Sequence, residues 1–174
     1  DEVTVILDEI AFVGLTSVAD GVDSFRGIPF AKPPIGPLRW KPPQSWVANQ
    51  DTFSAKSFAS ACMQTPHIVD WYRDVISGFG GDPRSFPAPE MSEDCLYLNI
   101  WRPSKSSAAD LPVMVYIHGG SNKGGWSFEP NYFGHNLAKK DVIVVGISYR
   151  LGVFGFFSHP LLDETNFGLS DQVM

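Results

Sequence analysis

Two stretches decide the fold: Pro112-Val113-Met114-Val115-Tyr116-Ile117-His118-Gly119-Gly120-Ser121 and, further on, Val142-Ile143-Val144-Val145-Gly146-Ile147-Ser148. Each is a continuous apolar run of strand length, the pattern of strands covered on both faces in the middle of a sheet. Between them lie a glycine-rich turn and a helical candidate, Tyr132 to Lys140, which ends on two lysines as a helix C-terminus prefers. Strand, loop, helix and strand in that order form a right-handed βαβ crossover. Upstream, Leu96-Tyr97-Leu98-Asn99-Ile100-Trp101 alternates as a strand with two unlike faces.

Towards the N-terminus the pattern changes. Val3 to Ile6 and Ile10 to Gly14 flank a short Asp-Glu turn and predict an antiparallel hairpin, with Phe25 to Ile28 as a further short strand. Pro29 to Pro43 carries too many prolines for helix or sheet, and His67 to Ser92 also reads as irregular, because glycines at 78, 80 and 81 precede three prolines. The fold class is therefore α/β: a small antiparallel N-terminal hairpin joined to a mostly parallel sheet with helices, and no internal repeat. Asn166 is placed to cap a helix through Met174, which breaks off without a terminating signal. We therefore expect an incomplete domain, with a sheet edge and an apolar face left for another polypeptide to cover.

Composition narrows the function classes. The 174 residues are 44% hydrophobic and 13% aromatic, which suits a packed core and excludes a disordered chain. A formal charge of -6, with 13 basic residues scattered among 19 acidic ones, argues against nucleic acid, which needs clustered Lys and Arg. No run of 18 apolar residues supports a membrane span, and the Asp1-Glu2 start is unlike a signal peptide. Cys62 and Cys95 fit either a disulfide formed in an oxidising compartment or two buried thiols, and composition leaves both open. No cofactor or metal is called for.

The chemistry concentrates at His118-Gly119-Gly120-Ser121, where a loop leaves the carboxyl end of a strand, the usual ligand position in open α/β sheets. Consecutive glycines let successive N–H groups converge on one point, as a developing oxyanion requires, and each such donor is worth about 3 kcal/mol of transition-state stabilisation. A ligand-free tight turn is the competing reading. A serine hydrolase also needs Gly-x-Ser-x-Gly, and no serine here has it: Gly146-Ile147-Ser148-Tyr149-Arg150 and Gly168-Leu169-Ser170-Asp171-Gln172 both lack the closing glycine. In that chain order the serine, acid and histidine would all follow Met174, so neither His118 nor His159 is expected to act as a base.

Three longer motifs carry a resemblance: Phe25-Arg26-Gly27-Ile28-Pro29-Phe30-Ala31-Lys32-Pro33-Pro34, Ser92-Glu93-Asp94-Cys95-Leu96-Tyr97-Leu98-Asn99, and Ser148-Tyr149-Arg150-Leu151-Gly152-Val153-Phe154-Gly155-Phe156. Together they resemble the type-B carboxylesterase/cholinesterase/lipase family of α/β-hydrolases, most of all its bacterial carboxylesterases. Asn166 to Gln172 is similar to the segment before that family's nucleophile elbow. The resemblance implies that residues 1 to 174 are the N-terminal portion of one catalytic domain, whose remainder supplies the serine, acid and histidine.

It further implies a disulfide between Cys62 and Cys95 closing a loop over the gorge, and a secreted or periplasmic protein. Gly120 and Ser121 would offer oxyanion-hole N–H groups, Gly119 would shape the turn, and a third donor would follow the serine; most relatives have glycine where Ser121 stands. Two buried ion pairs are implied, Arg39 with Glu93 and Arg150 with Asp171. The place of the cholinesterase choline-binding tryptophan falls at Ser85, beside Phe86, while Trp71 lies out of register, so choline esters are not expected. Trp126, Phe128 and Phe154 are candidates for an acyl or alcohol pocket, or plain core. The implied reaction is two-step hydrolysis of a small ester, with this chain inactive alone. A non-catalytic binding or adhesion relative is the alternative.

Overall fold

The computed structural model describes residues 1–105 and 110–174. Strands β1 (Glu2–Leu7) and β2 (Ile10–Ser17) form the expected hairpin, paired from Glu2 with Leu15 to Leu7 with Ile10. Its two-residue turn places Asp8 and Glu9 at φ of 47° and 67°, the mirror-image turn whose twist matches that of the strands it joins.

Strand β3 (Val22–Pro29) adds to β2, and β4 (Thr52–Ser54) pairs parallel with β2. The two-residue strands β5 (Ala61–Cys62) and β6 (Met91–Ser92) pair with each other, away from the main sheet. Strands β7 (Tyr97–Pro103), β8 (Val113–Ile117) and β9 (Ile143–Ile147) complete the principal path, which runs β1-β2-β3-β7-β9-β8. All neighbours on that path are antiparallel except β8 and β9, the parallel pair that the crossover requires.

The core sits where Trp101 of β7 and Val144 of β9 meet Val22 and Ala138. Ala138 belongs to helix α2, which is shorter than predicted: only His135–Ala138 is α-helical, after a 3-10 turn at Pro130–Tyr132. The reason is Gly134, whose backbone lies so close to Val144 and Trp101 that a Cβ would come within 2.7 Å of one and 3.0 Å of the other. Close approach of the chain to the sheet takes precedence over helix length.

The apolar runs were both expected in the middle of the sheet, and only β9 is there. Strand β8 lies at the end of the path, with Val113 and Val115 still 59% and 56% exposed. Its composition is that of a covered strand, and among the described residues nothing covers it.

The segment after His67 is not irregular throughout. Helix α1 (His67–Gly78) occupies its first part. Val69 is buried, and Ile68, Tyr72 and Ile76 pack beside it against Ala61, Phe86 and Trp126, a helical spacing. The downstream glycines and prolines end this helix without preventing it. Helices α3 (Gly152–Phe156) and α4 (Phe167–Val173) finish the chain. Asn166 precedes α4 but does not cap it by its side chain; it adopts a left-handed conformation, φ 59°.

Cys62 and Cys95 are bridged, with Cα atoms 5.0 Å apart, across a sequence separation of 33. A closed loop of that size removes roughly 3–4 kcal/mol of unfolded-state entropy. The ion pairs divide. Arg150 and Asp171 are 3% and 0% exposed, as implied, whereas Arg39 and Glu93 are 40% and 22% exposed, so that pair is half-solvated rather than buried. Among the described residues no helix is long and apolar enough to cross a membrane.

Candidate active site

Strand β8 delivers its chain directly into residues 118 to 125, a loop folded back on itself. Lys123 and Gly124 donate their N–H groups to the Gly120 carbonyl at 3.0 and 3.2 Å. Gly120 takes φ 118°, Ser121 56° and Asn122 59°, so three successive residues lie in the region that glycine alone enters freely. Two of the three are not glycine, which stores strain of order 1 kcal/mol or more at each. Such strain persists only where the surroundings over-determine the backbone.

Those surroundings can be named. His118 is buried, stacks on the Tyr149 ring with centroids 4.5 Å apart, and accepts the Tyr149 hydroxyl at its carbonyl at 2.8 Å. Its Nδ1 lies 2.9 Å from the Gly119 carbonyl, which requires the proton on that nitrogen. The Gly152 N–H donates to the Asn122 carbonyl at 2.7 Å. Among the described residues, no protein acceptor takes the N–H of Gly120 or of Ser121. Two peptide donors in a strained turn at the carboxyl end of a strand are therefore free for a ligand.

His118 is no base for chemistry near neutral pH. Burial pushes its imidazole down to about 4, only partly opposed by the bond to Gly119. The unfolded chain binds a proton there below about pH 6.5 and the folded chain only below about 4, so stability falls as pH drops between those values. We expect His118 to contribute about 2 kcal/mol of stability loss between pH 7 and pH 5. Urea unfolding of the wild type and of His118→Gln at both pH values checks this; equal losses in the two proteins would contradict it. His159 is exposed and accepts the Leu161 N–H at 3.2 Å.

Gly119 and Gly120 border a cavity of about 450 Å³ whose other walls are His67, Ile68, Trp71 and Tyr72 of α1 together with Glu129 and Tyr132. Glu129 is buried, accepts the Tyr72 hydroxyl at 2.6 Å and the Trp126 N–H at 3.2 Å, and its carboxyl is raised by desolvation. The same cause raises the Tyr72 phenol. The cavity thus brings the Gly120 end of the turn together with an aromatic wall and a desolvated acid.

The sequence did not single out Glu129, Tyr72 or Tyr132, and set Trp71 aside as out of register. The spacing of Ile68, Val69, Tyr72 and Ile76 was the available signal for α1; nothing local marks Glu129. Ser85 is exposed, and Phe86 is buried against the Tyr72 ring, 4.3 Å between centroids.

The other aromatic candidates lie along different cavities. Trp126 and Phe128 border a groove of about 280 Å³ with Phe58 and Phe133; Phe128 stacks on Phe58 at 4.7 Å. Phe154 borders a groove of about 540 Å³ with Met63, Gln64, Leu151 and Lys123. His67 is shared by that groove and the cavity at the glycines. Among the described residues no group of three or more His, Cys, Asp or Glu could hold a metal ion.

Residues 13–174 match the model of the carboxylesterase family. The chain is 38% identical to a fumonisin B1 esterase of Sphingopyxis macrogoltabida over 90% of its own length and 28% of that protein's. It is 45% identical to a human cocaine esterase over 88% of this chain and 27% of the relative. It is 40% identical to a para-nitrobenzyl esterase of Bacillus subtilis over 88% and 29%. A solved thermophilic PNB esterase superposes with a TM-score of 0.82 at 35% identity, covering 97% of this chain and 33% of that one. The chain thus spans less than a third of the length of these relatives. A mixed sheet that follows a solved esterase this closely, and a family match over nearly every residue, lead to one conclusion: the chain belongs to the type-B carboxylesterase family, with an α/β-hydrolase fold.

Proposed function

We propose that residues 1–174 supply the oxyanion-binding loop and the disulfide-closed loop of a serine carboxylic-ester hydrolase, and that a further portion of the same enzyme carries the serine, acid and histidine. The observation that carries this reading is the pair of unpartnered N–H groups at Gly120 and Ser121, held at positive φ, with Gly120 on the wall of a cavity and Ser121 next to it in the chain. The serine attacks the ester carbonyl, the two N–H groups and a third from the residue after the serine stabilise the oxyanion, the alcohol leaves, and water cleaves the acyl-enzyme. Gly119, in open space, shapes the turn.

The need for a further portion is supported by the uncovered β8 edge and by an apolar cavity of about 380 Å³ on the sheet, lined by Val5, Phe12, Phe25, Leu98 and Ile100 among others. The grooves meeting at His67 suit the two arms of an ester, with Phe154 as an apolar contact for one; Trp126 and Phe128 would act from further out. The disulfide supports a secreted or periplasmic location.

The test is turnover of a nitrophenyl ester. Residues 1–174 alone are expected at the buffer rate, and the protein extended through a Gly-x-Ser-x-Gly elbow well above it. Turnover by residues 1–174 alone would remove the need for completion. An extended protein with no elbow and no turnover would favour the binding or adhesion role instead.

A further inference from the structure

Resting on that oxyanion reading, we infer that Gln64 is a positioning residue for the glycine loop, transmitting the geometry of the disulfide to the N–H groups that receive the oxyanion. Gln64 stands two residues after Cys62, at the start of the disulfide-closed loop, and reaches across to Gly125. Its Oε1 accepts the Gly125 N–H at 2.7 Å, and its Nε2 donates to the Gly125 carbonyl at 2.8 Å. Nε2 also donates to the Cys62 carbonyl at 3.1 Å. One N–H and two carbonyls surround the carboxamide, so its oxygen and nitrogen can occupy only these places. The side chain mimics a peptide group and clasps both polar atoms of a single residue.

Gly125 is a sensitive point to hold. It takes φ 101°, and a Cβ there would come within 2.5 Å of the Gly119 carbonyl and 2.6 Å of His118 Nδ1. Its neighbour Gly124 presses on Gly120 just as closely, since a Cβ on Gly120 would meet the Gly124 carbonyl at 2.0 Å. Gly124 is in turn packed beneath His67 and Ile68 at the start of α1. Fixing Gly125 therefore fixes the back of the turn whose front presents Gly120 and Ser121. Tyr149 and Gly152 hold the carbonyls of His118 and Asn122, and Gln64 is the tie that leads to the disulfide.

An error at the back of the turn displaces donors that act on the transition state more than on the bound ester. The test is Gln64→Glu in the complete esterase, a change that keeps size and acceptor but turns an oxygen towards two carbonyls. We expect kcat to fall roughly 10- to 100-fold with KM changed by less than about threefold. Affinity for a trifluoromethyl ketone, which forms the oxyanion on the serine, should fall by the same factor as kcat/KM. A merely structural role would lower the melting temperature while leaving kcat per folded molecule and ketone affinity unchanged, and that result overturns the inference. If Gln64→Glu does not fold, Gln64→Met, of similar volume and without charge, carries the same comparison. An inactive complete wild type would sink the oxyanion reading and this inference together; an active wild type with an unaffected variant sinks only this one.

Discussion

Gly120→Ala is expected to lower kcat of the complete esterase by at least about a hundredfold, the loss typical of removing an oxyanion-hole donor. Two features act together at this position. Its φ of 118° is strained for any residue with a Cβ, and the added methyl would lie 2.0 Å from the Gly124 carbonyl oxygen and 2.7 Å from its carbon. Backbone cannot rotate out of the way as a flexible side chain can, so the turn must open and its N–H groups must swing. Gly119→Ala is the informative partner, because a Cβ there meets nothing within 4 Å. It should cost far less. Steady-state kinetics on the two variants, with melting temperatures to confirm folding, decide the matter. A Gly120→Ala enzyme within a few-fold of wild type would remove this loop from catalysis.

The second large effect concerns stability. Asp171→Asn is expected to destabilise the protein by about 3–5 kcal/mol, because it leaves the Arg150 guanidinium buried without a counter-charge. Asp171, on α4, accepts from Arg150 Nε at 2.8 Å, Nη2 at 2.7 Å and the backbone N–H at 3.0 Å. Nη1 is taken by the Lys41 carbonyl at 2.8 Å, and the guanidinium lies over the Phe167 ring. Helices α3 and α4 both cross the Arg150 carbonyl at glycines, where a Cβ on Gly155 or Gly168 would come within 2.2 or 2.4 Å. The ion pair thus fastens α4 to the end of β9, while α3 packs on the backbone of the same arginine. Replacing both partners, as Arg150→Met with Asp171→Leu, should recover most of the loss, since the main cost of the single change is an unpaired buried charge. Urea denaturation of the three variants measures this, and a single substitution costing under about 1 kcal/mol would show the pair to be dispensable.

Much of this was legible in the sequence for physical reasons. Strands β1, β2, β7, β8 and β9 are written in runs of two-residue period or continuous apolar character, which are local signals. The glycine loop could be read because only glycine serves where backbones approach as closely as Gly120 and Gly124 do. Long motifs identified the family, because several in the right order cannot arise from local propensity.

Other features failed to show for equally physical reasons. Helix α1 was obscured because the glycines and prolines that end it lie close behind a periodic stretch only a few turns long. The Arg39–Glu93 pair was expected to be buried, but how much solvent reaches two facing side chains depends on what else packs beside them. Glu129 carries no local mark of its burial, which sets its carboxylate against the hydroxyl of Tyr72 from a distant helix.

Short-range period, chirality and backbone freedom were enough for the α/β class, the strand-helix-strand crossover and a glycine turn at the end of β8, and the long motifs were enough for the family. The folded arrangement was needed to show that Trp71 shares a cavity with Gly119 and Gly120, that β8 stands at an uncovered edge, and that Gln64 grips Gly125. Those outcomes depend on segments distant in the chain, where packing and hydrogen-bond satisfaction act on groups that no local window of sequence brings together.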